Sequence, residues 1–392
     1  MSKNGETAGL KGSKSLSPQS RCDVIITYCW NRVGYNILRS LSAKGLFVWS
    51  ADTSKRNICS KSKFCSGAFT YPDPFEQESE FIECLKEKVA ALSPQMLIPT
   101  HDESLVIMRH RDEFPSDLLI PYMDAEALAN HSDKAWTTAR AAECGVPVPA
   151  VYQSADEVAE YPCVFKTVIG NSAKTVFFPK DRAELDSLME KFAGVKTLIE
   201  EKVGGTDYSV DCVRWDGFFQ ASTYRALVTK TDGGGTSTQR EIVSVPELEQ
   251  YARMLLDHTG YKGVCGLDFR YDPSTGRAAF IEVNARFTGG LATQVAAGFD
   301  IPWILYSLAK YGKFEEPVEV KYGTRTKWIL GDVITLVGRL SSIRSSGEEL
   351  RRALRFKGFD AYDDFRSDDK RAILGEMSYY LAKLFKNRKL NP

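Results

Sequence analysis

The chain has 392 residues, too many for one ordinary core, so two or three packed subdomains are expected. Hydrophobic residues make up 43% and charged residues 26%, which reads as globular, and Lys+Arg and Asp+Glu both total 51, so no net basic field argues for a nucleic-acid partner. Nine cysteines without a CxxC pair exclude a disulfide framework and a zinc ribbon, and the four histidines (His101, His110, His131, His258) have no metal-ligand spacing.

Residues 1–20 are rich in Ser, Gly and Lys and lack an apolar h-region, so they are expected to form a disordered tail rather than a signal peptide. No apolar run approaches the roughly 18 to 20 residues that span a bilayer. A cytoplasmic location is the expectation.

The fold is expected to begin near Arg21. The run DVIIT (23–27) reads as a strand, YNILRSLSAKG as a helix stopping at Gly45, and LFVWSAD as a second strand ending on Asp52. A helix over 78–92 then precedes the strand MLIPT, placing His101, Asp102 and Glu103 at its carboxyl end, where open parallel sheets bind ligands. Either acid is a candidate for engaging a substrate ammonium or for capping the next helix. The first loop lacks GxGxxG, so this Rossmann-like unit carries no dinucleotide fingerprint.

Ser132-Asp133-Lys134 opens a helix with Ser132 as the expected cap, and GVPVP ends it. YPCVFKTV, VFFPK and TLIEEKV read as strands, with a small-residue loop, IGNSAKT, after the first and a helix over 182–192 before the third. Lys166 lies in the first of these among apolar residues, and a buried charge needs a partner, which an anionic ligand would supply. YSVDCVRW and FFQASTYRALVT form a hairpin about Asp216-Gly217. The Gly-rich stretch KTDGGGTSTQR is then expected to be a mobile flap, followed by a helix over 246–260.

VCGLDFRYD and RAAFIEVNAR are joined by a turn and make an antiparallel pair. Alternation puts Glu282, Asn284 and Arg286 on one face. In a register that aligns Asp268 with Glu282, the two carboxylates project together, with Cβ atoms about 5 Å apart. Two such acids repel unless a cation lies between them, and carboxylate and amide oxygens are magnesium ligands. The alternative is a charged hairpin whose acids merely face water. Gly289-Gly290 opens LATQVAAG, whose free amides are placed to accept an anion.

Four motifs in order, SDK with GVPVP, YPCVFK, LIEEKVGGTDYSVD, and GLDF with FIEVNARFTGG, make the chain resemble the ATP-grasp superfamily from about Arg21 to Gly312. Within it the likeness is to carboxylate-amine ligases such as carbamoyl-phosphate synthase ATP-binding units and D-alanine-D-alanine ligase. The resemblance implies an α/β chain: a Rossmann-like domain over 21–125, an ATP-grasp domain over 126–320 (lid lobe about 135–203, catalytic lobe about 204–320), and a helical C-terminal extension over 321–392. It implies ATP and Mg2+ as cofactors, with Mn2+ able to substitute.

Carried over by position, Lys134 and Lys166 hold nucleotide phosphates. Glu200, Glu201, Lys202 and Val203 form the hinge that reads adenine, and Asp207 takes the place of the ribose-binding acid, where the family more often has Glu. Asp268, Glu282 and Asn284 match the metal ligands and Arg286 the arginine near the transferred phosphoryl group. Arg225 is a further catalytic candidate, Arg240 its rival, and Lys174 occupies the phosphate flap. The implied function is ATP-dependent joining of a carboxylate to an amine through an acyl phosphate, forming an amide or peptide bond. Alternatives are an ATP-grasp phosphotransferase and a catalytically silent ATP-binding protein.

Basic residues outnumber acidic ones beyond Lys321, where GEELRRALRFKG and EMSYYLAKLFKNRK read as helices. This tail resembles extensions of ATP-grasp proteins that modify surface polysaccharides, which implies a uronic acid or amino sugar among the small-molecule substrates and a weak peripheral contact with anionic membrane. A homodimer is left open.

Overall fold

The computed structural model describes residues 21–169, 175–231, 234–340 and 355–387. The expected N-terminal tail, Lys174 with most of its loop, and most of GEELRRALRFKG lie outside them.

The chain opens β1 (Val24–Ile26), α1 (Arg32–Ala43), β2 (Val48–Asp52), α2 (Ile58–Lys61), β3 (Gly67–Thr70), α3 (Glu78–Leu92), β4 (Met96–Ile98) and α4 (Glu103–Arg109). The four strands pair in parallel in the order β3-β2-β1-β4. Every residue of β1 and β4 is buried, which is why both read as unbroken apolar runs rather than alternating ones. This is the expected Rossmann-like unit, with β3 and α2 added. Asn31 caps α1, its Oδ1 accepting from the Val33 and Gly34 amides at 2.9 and 3.1 Å.

Helices α5 (Ala125–Ser132) and α6 (Lys134–Glu143) lead into a four-stranded antiparallel sheet made of β5 (Val151–Tyr152), β6 (Val164–Thr167), β7 (Val176–Phe177) and β8 (Thr197–Glu200), with α7 (Arg182–Lys191) before β8. The cap of α6 is Asp133, not the expected Ser132: Asp133 Oδ1 accepts from the Trp136 amide at 2.9 Å, while Ser132 ends the preceding helix and donates to Leu128 O. Adjacent residues both suited to capping compete, and the break between α5 and α6 decides the position.

The largest sheet has the order β13-β12-β9-β10-β11-β14-β15. Its strands are β9 (Thr206–Trp215), β10 (Phe218–Thr231), β11 (Gly234–Val243), β12 (Gly263–Asp272), β13 (Arg277–Asn284), β14 (Arg325–Lys327) and β15 (Ala361–Tyr362). Between and after them come α8 (Pro246–His258), α9 (Leu291–Ala296), α10 (Ile301–Tyr311), α11 (Ile329–Leu340) and α12 (Arg371–Asn387).

Two expectations are corrected here. The Gly-rich stretch, expected to be a loop, is largely strand: its tip at 232–233 lies outside the described residues, and on either side β10 and β11 pair antiparallel with register irregularities between Ala226 and Thr231. Glycines and small polar residues that read as loop are tolerated because the strands they continue are long and already paired. The region beyond Lys321 is not purely helical either. β14 and β15 extend the large sheet, and α12 packs on α2 of the N-terminal unit.

Candidate active site

The hairpin of β12 and β13 pairs Asp268 directly with Glu282, so their side chains share a face. A bulge follows, since Phe269 pairs with Phe280 and leaves Ile281 as the extra residue. The carbonyl exposed by that bulge accepts from Lys166 Nζ at 3.4 Å. Asn284 Nδ2 donates to Asp268 Oδ2 at 3.0 Å, and Lys134 Nζ stands 3.2 Å from Glu282 Oε2. Burial and the facing Glu282 raise the Asp268 carboxyl above its ordinary range.

These residues fit a magnesium ion. Asp268, Glu282 and Asn284 offer hard oxygen donors, and a cation between the acids would remove the strain that raises Asp268. Among the described residues no group of three or more His, Cys, Asp or Glu side chains could hold a metal. Such a sparse protein donor set suits a cation that completes its shell with water and phosphate oxygens.

Lys166, which the sequence left in need of a partner, has one in the protein. Its Nζ lies 2.7 Å from Glu200 Oε2, with both side chains under 5% exposed. Glu200 Oε1 is buried without a hydrogen-bond partner, so the pair keeps acceptor capacity in reserve. Of the other hinge residues, the Glu201 amide donates to Ala150 O at 2.8 Å and its carboxylate pairs with Arg277 at 2.7 Å, Lys202 Nζ lies over Phe178, and Val203 is buried. The Lys134 amide donates to Val168 O at 3.2 Å, joining α6 to the end of β6. Asp207 is taken by Arg270, Nη1 to Oδ1 at 2.6 Å, at the hinge end of β9.

A cleft of about 690 Å³ runs between the carboxyl ends of β1 and β4, the β12–β13 hairpin and α12. Lys134, Glu282, Asn284 and Arg286 line it together. Arg286 Nε donates to Asp102 Oδ1 at 2.9 Å, and His101 Nδ1 lies 3.1 Å from Asp102 Oδ2. Burial opposes ionisation of Asp102, but His101 and Arg286 outweigh it and hold the carboxyl well below the usual range. Glu103 serves the scaffold: its Oε1 accepts from Thr27 Oγ1 at 2.6 Å and the Thr100 amide at 2.9 Å, tying β1 to β4.

Two arginine candidates are not brought to this cleft. Arg225 is clasped by Glu241, Nη2 to Oε2 at 2.5 Å, on the β10–β11 hairpin, and Arg240 is fully buried in β11 with Nη1 2.7 Å from Asp363 Oδ2. The structure instead brings in Tyr28, Trp30, Arg32, Trp328, Tyr380 and Lys383, none singled out from sequence. Tyr28 has φ 58°, a left-handed conformation that costs a side-chain-bearing residue about 1 kcal/mol or more. The Tyr71 hydroxyl, accepting from its amide at 2.9 Å, and stacking on His101 at 4.8 Å hold it there. The one local signal was the position of Tyr28, Trp30, Arg32 and Trp328 just past a strand's carboxyl end; Tyr380 and Lys383, inside α12, had none.

Comparison with known proteins bears on the fold that carries this site. In the Campylobacter jejuni biotin carboxylase complex with a β,γ-ATP ligand, 75% of the chain superposes on 79% of this one with TM-score 0.63 at 15% identity. The L-amino acid ligase of Bacillus licheniformis gives TM-score 0.60 at 16% identity, over 76% of this chain and 78% of that one.

The chain has the ATP-grasp fold.

Residues 194–331 match a family described as "ATP-grasp in the biosynthetic pathway with Ter operon". A D-alanine--D-alanine ligase of Fusobacterium nucleatum is 26% identical over 171 residues, 41% of this chain and 58% of the ligase. The chain therefore spans less than two thirds of that relative's length. Within the ATP-grasp fold the likeness is to the carboxylate-amine ligase type.

Proposed function

We propose that the chain is an ATP-dependent carboxylate-amine ligase that works through an acyl phosphate and releases ADP and phosphate. The observation that carries this reading is the convergence on one cleft of Glu282, Asn284, Lys134 and Arg286, with Asp268 opposed to Glu282 across the hairpin and bonded by Asn284 just behind them.

Asp268, Glu282 and Asn284 would hold Mg2+, or Mn2+ in its place, and the ion would supply positive charge where phosphate charge develops. Lys134 and Lys166 bind the nucleotide phosphates, the backbone of residues 200–203 meets the adenine edge, and Asp207, shared with Arg270, accepts from the ribose hydroxyls. The substrate carboxylate attacks the γ-phosphorus in line, its oxygen forming the new P–O bond as the bond to ADP breaks. Arg286, oriented by Asp102, stabilises charge on the transferred group and then on the tetrahedral oxyanion. The amine attacks the acyl carbon, loses a proton, and inorganic phosphate leaves with the electron pair of the broken C–O bond. The lobes that flank the cleft exclude water from the acyl phosphate.

The test is phosphate release with magnesium and ATP over paired acid and amine panels. Release that needs both partners is expected, with a loss of at least about 100-fold in Glu282→Ala. Equal rates in that variant would remove the carboxylate pair from the chemistry, and ADP formed from the acid alone without free phosphate would point to a phosphotransferase.

A further inference from the structure

An ammonium ion has no lone pair, and primary amines are mostly protonated near neutral pH, so an amine that attacks an acyl carbon needs a base within reach. Among the described residues that line the cleft, the histidine is His101, just past β4.

Its ring is held on two sides. Nδ1 is buried 3.1 Å from Asp102 Oδ2, and the other oxygen of that carboxylate accepts from Arg286 Nε at 2.9 Å. Nδ1 and Oδ2 are at hydrogen-bond distance without being aligned for one, as catalytic pairs often are before substrate is in place. Tyr28 stacks on the ring, with centres 4.8 Å apart and planes 20° from parallel. The left-handed φ of Tyr28 is strain of the sort that gathers at functional sites. Glu103 is taken up by Thr27 and the Thr100 amide, which leaves Asp102 as the carboxylate paired with the ring.

With Nδ1 turned inward, the Nε2 edge is the open part of the ring. Nε2 makes no hydrogen bond to any described residue, and the side chain is 24% exposed where it lines the cleft. A carboxylate at Nδ1 favours the tautomer with its proton there and an electron pair on Nε2.

We propose that His101 is the base of the amine step, taking a proton on Nε2 from the substrate ammonium. The inference rests on the ligase reading. The Asp102 carboxylate attracts the ammonium, which passes one proton to Nε2 and attacks the acyl carbon with the freed lone pair. The electrons of the C=O bond move to the oxygen beside Arg286. They return as phosphate leaves with the C–O bond pair and a second proton from nitrogen, while the third proton stays on the amide. Asp102 stabilises the imidazolium that forms. Because one carboxylate holds both His101 and Arg286, base and oxyanion partner are fixed relative to each other.

The test separates the two half-reactions. Each acid of the panel is offered with magnesium, ATP and hydroxylamine, which is largely uncharged near neutral pH and traps the acyl phosphate as a hydroxamate without a base. Amide formation with the panel amines is expected to fall about 100-fold or more in His101→Gln and His101→Ala, with hydroxamate formation changed less than about threefold. Added imidazole is expected to speed amide formation in His101→Ala at least about tenfold, which a structural role would not allow. Hydroxamate formation and thermal unfolding report that both variants are folded.

Amide formation near the wild-type rate in both variants overturns the inference, as does a loss that imidazole leaves untouched. A wild type that makes hydroxamate but no amide overturns it too, and leaves the acyl phosphate standing. No acid-dependent hydroxamate from the wild type would instead sink the ligase reading, and this inference with it.

Discussion

Lys166 and Glu200 illustrate how a single residue can be read in part from sequence. An ammonium in an apolar strand announces a charged partner, but only pairing of β6 with β8 places Glu200 beside it. Removing one member strands the other charge. Glu200→Ala is expected to lose about 3–5 kcal/mol in urea unfolding, while the double variant Lys166→Met, Glu200→Leu stays within about 1 kcal/mol of wild type and binds ATP poorly. A single-variant loss below about 1 kcal/mol would mean that water reaches the pair. Asp268 and Glu282 were legible because alternation puts each on a defined strand face. The register that opposes them was not, since a one-residue slip sends a side chain to the other face.

At the scale of elements, the strands and helices with clean periodicity fall where their sequences put them, as α3 and the β9–β10 hairpin show. The stretch over 230–240 and the segment beyond Lys321 do not. The first is glycine-rich, yet its described residues lie in two paired strands, and the second includes strands of three and two residues that exist only because β11 offers an edge. Docking of α12 on α2 depends on one small residue. A Cβ at Gly375 would collide with the backbone carbonyl of Asn57 and approach the Ile58 Cα at 3.0 Å. Gly375→Val is expected to lift α12 from α2, lowering the melting temperature by several degrees and speeding proteolysis within the extension. A variant as protease-resistant as wild type would show that α12 is held by other contacts.

For the whole molecule, enclosing carboxylates at the junctions of sheets and extension links stability to pH. Burial raises Asp52 to about 7 and Asp211 to about 6, against the hydrogen bonds that each accepts. A carboxyl whose folded pKa is raised binds more protons folded than unfolded between its two pKa values, so its contribution favours folding at low pH and is lost as pH rises from about 4 to about 7. Asp52 accepts from the amides of Trp30 and Ser54 at 2.8 and 2.9 Å, which lets the site be isolated. The stability of Asp52→Asn relative to wild type is expected to rise by more than about 1 kcal/mol between pH 5 and pH 8. A pH-independent difference in urea midpoints would mean that Asp52 titrates normally.

By itself the sequence determined the α/β class, the parallel opening sheet, the ATP-grasp likeness and the residues offered for phosphate and magnesium, because those follow from local periodicity and from side chains whose chemistry is read one motif at a time. Tertiary structure alone decided the partner of Lys166, the withdrawal of Arg225 and Arg240 onto Glu241 and Asp363, and the joining of Tyr28, Trp30, Arg32, Trp328 and Tyr380 in one cleft. These residues are separated by up to some 350 positions along the chain, and no local pattern encodes their meeting. It arises when β15 joins the edge of the large sheet and α12 packs on α2, bringing Asp363 within 2.9 Å of Arg32.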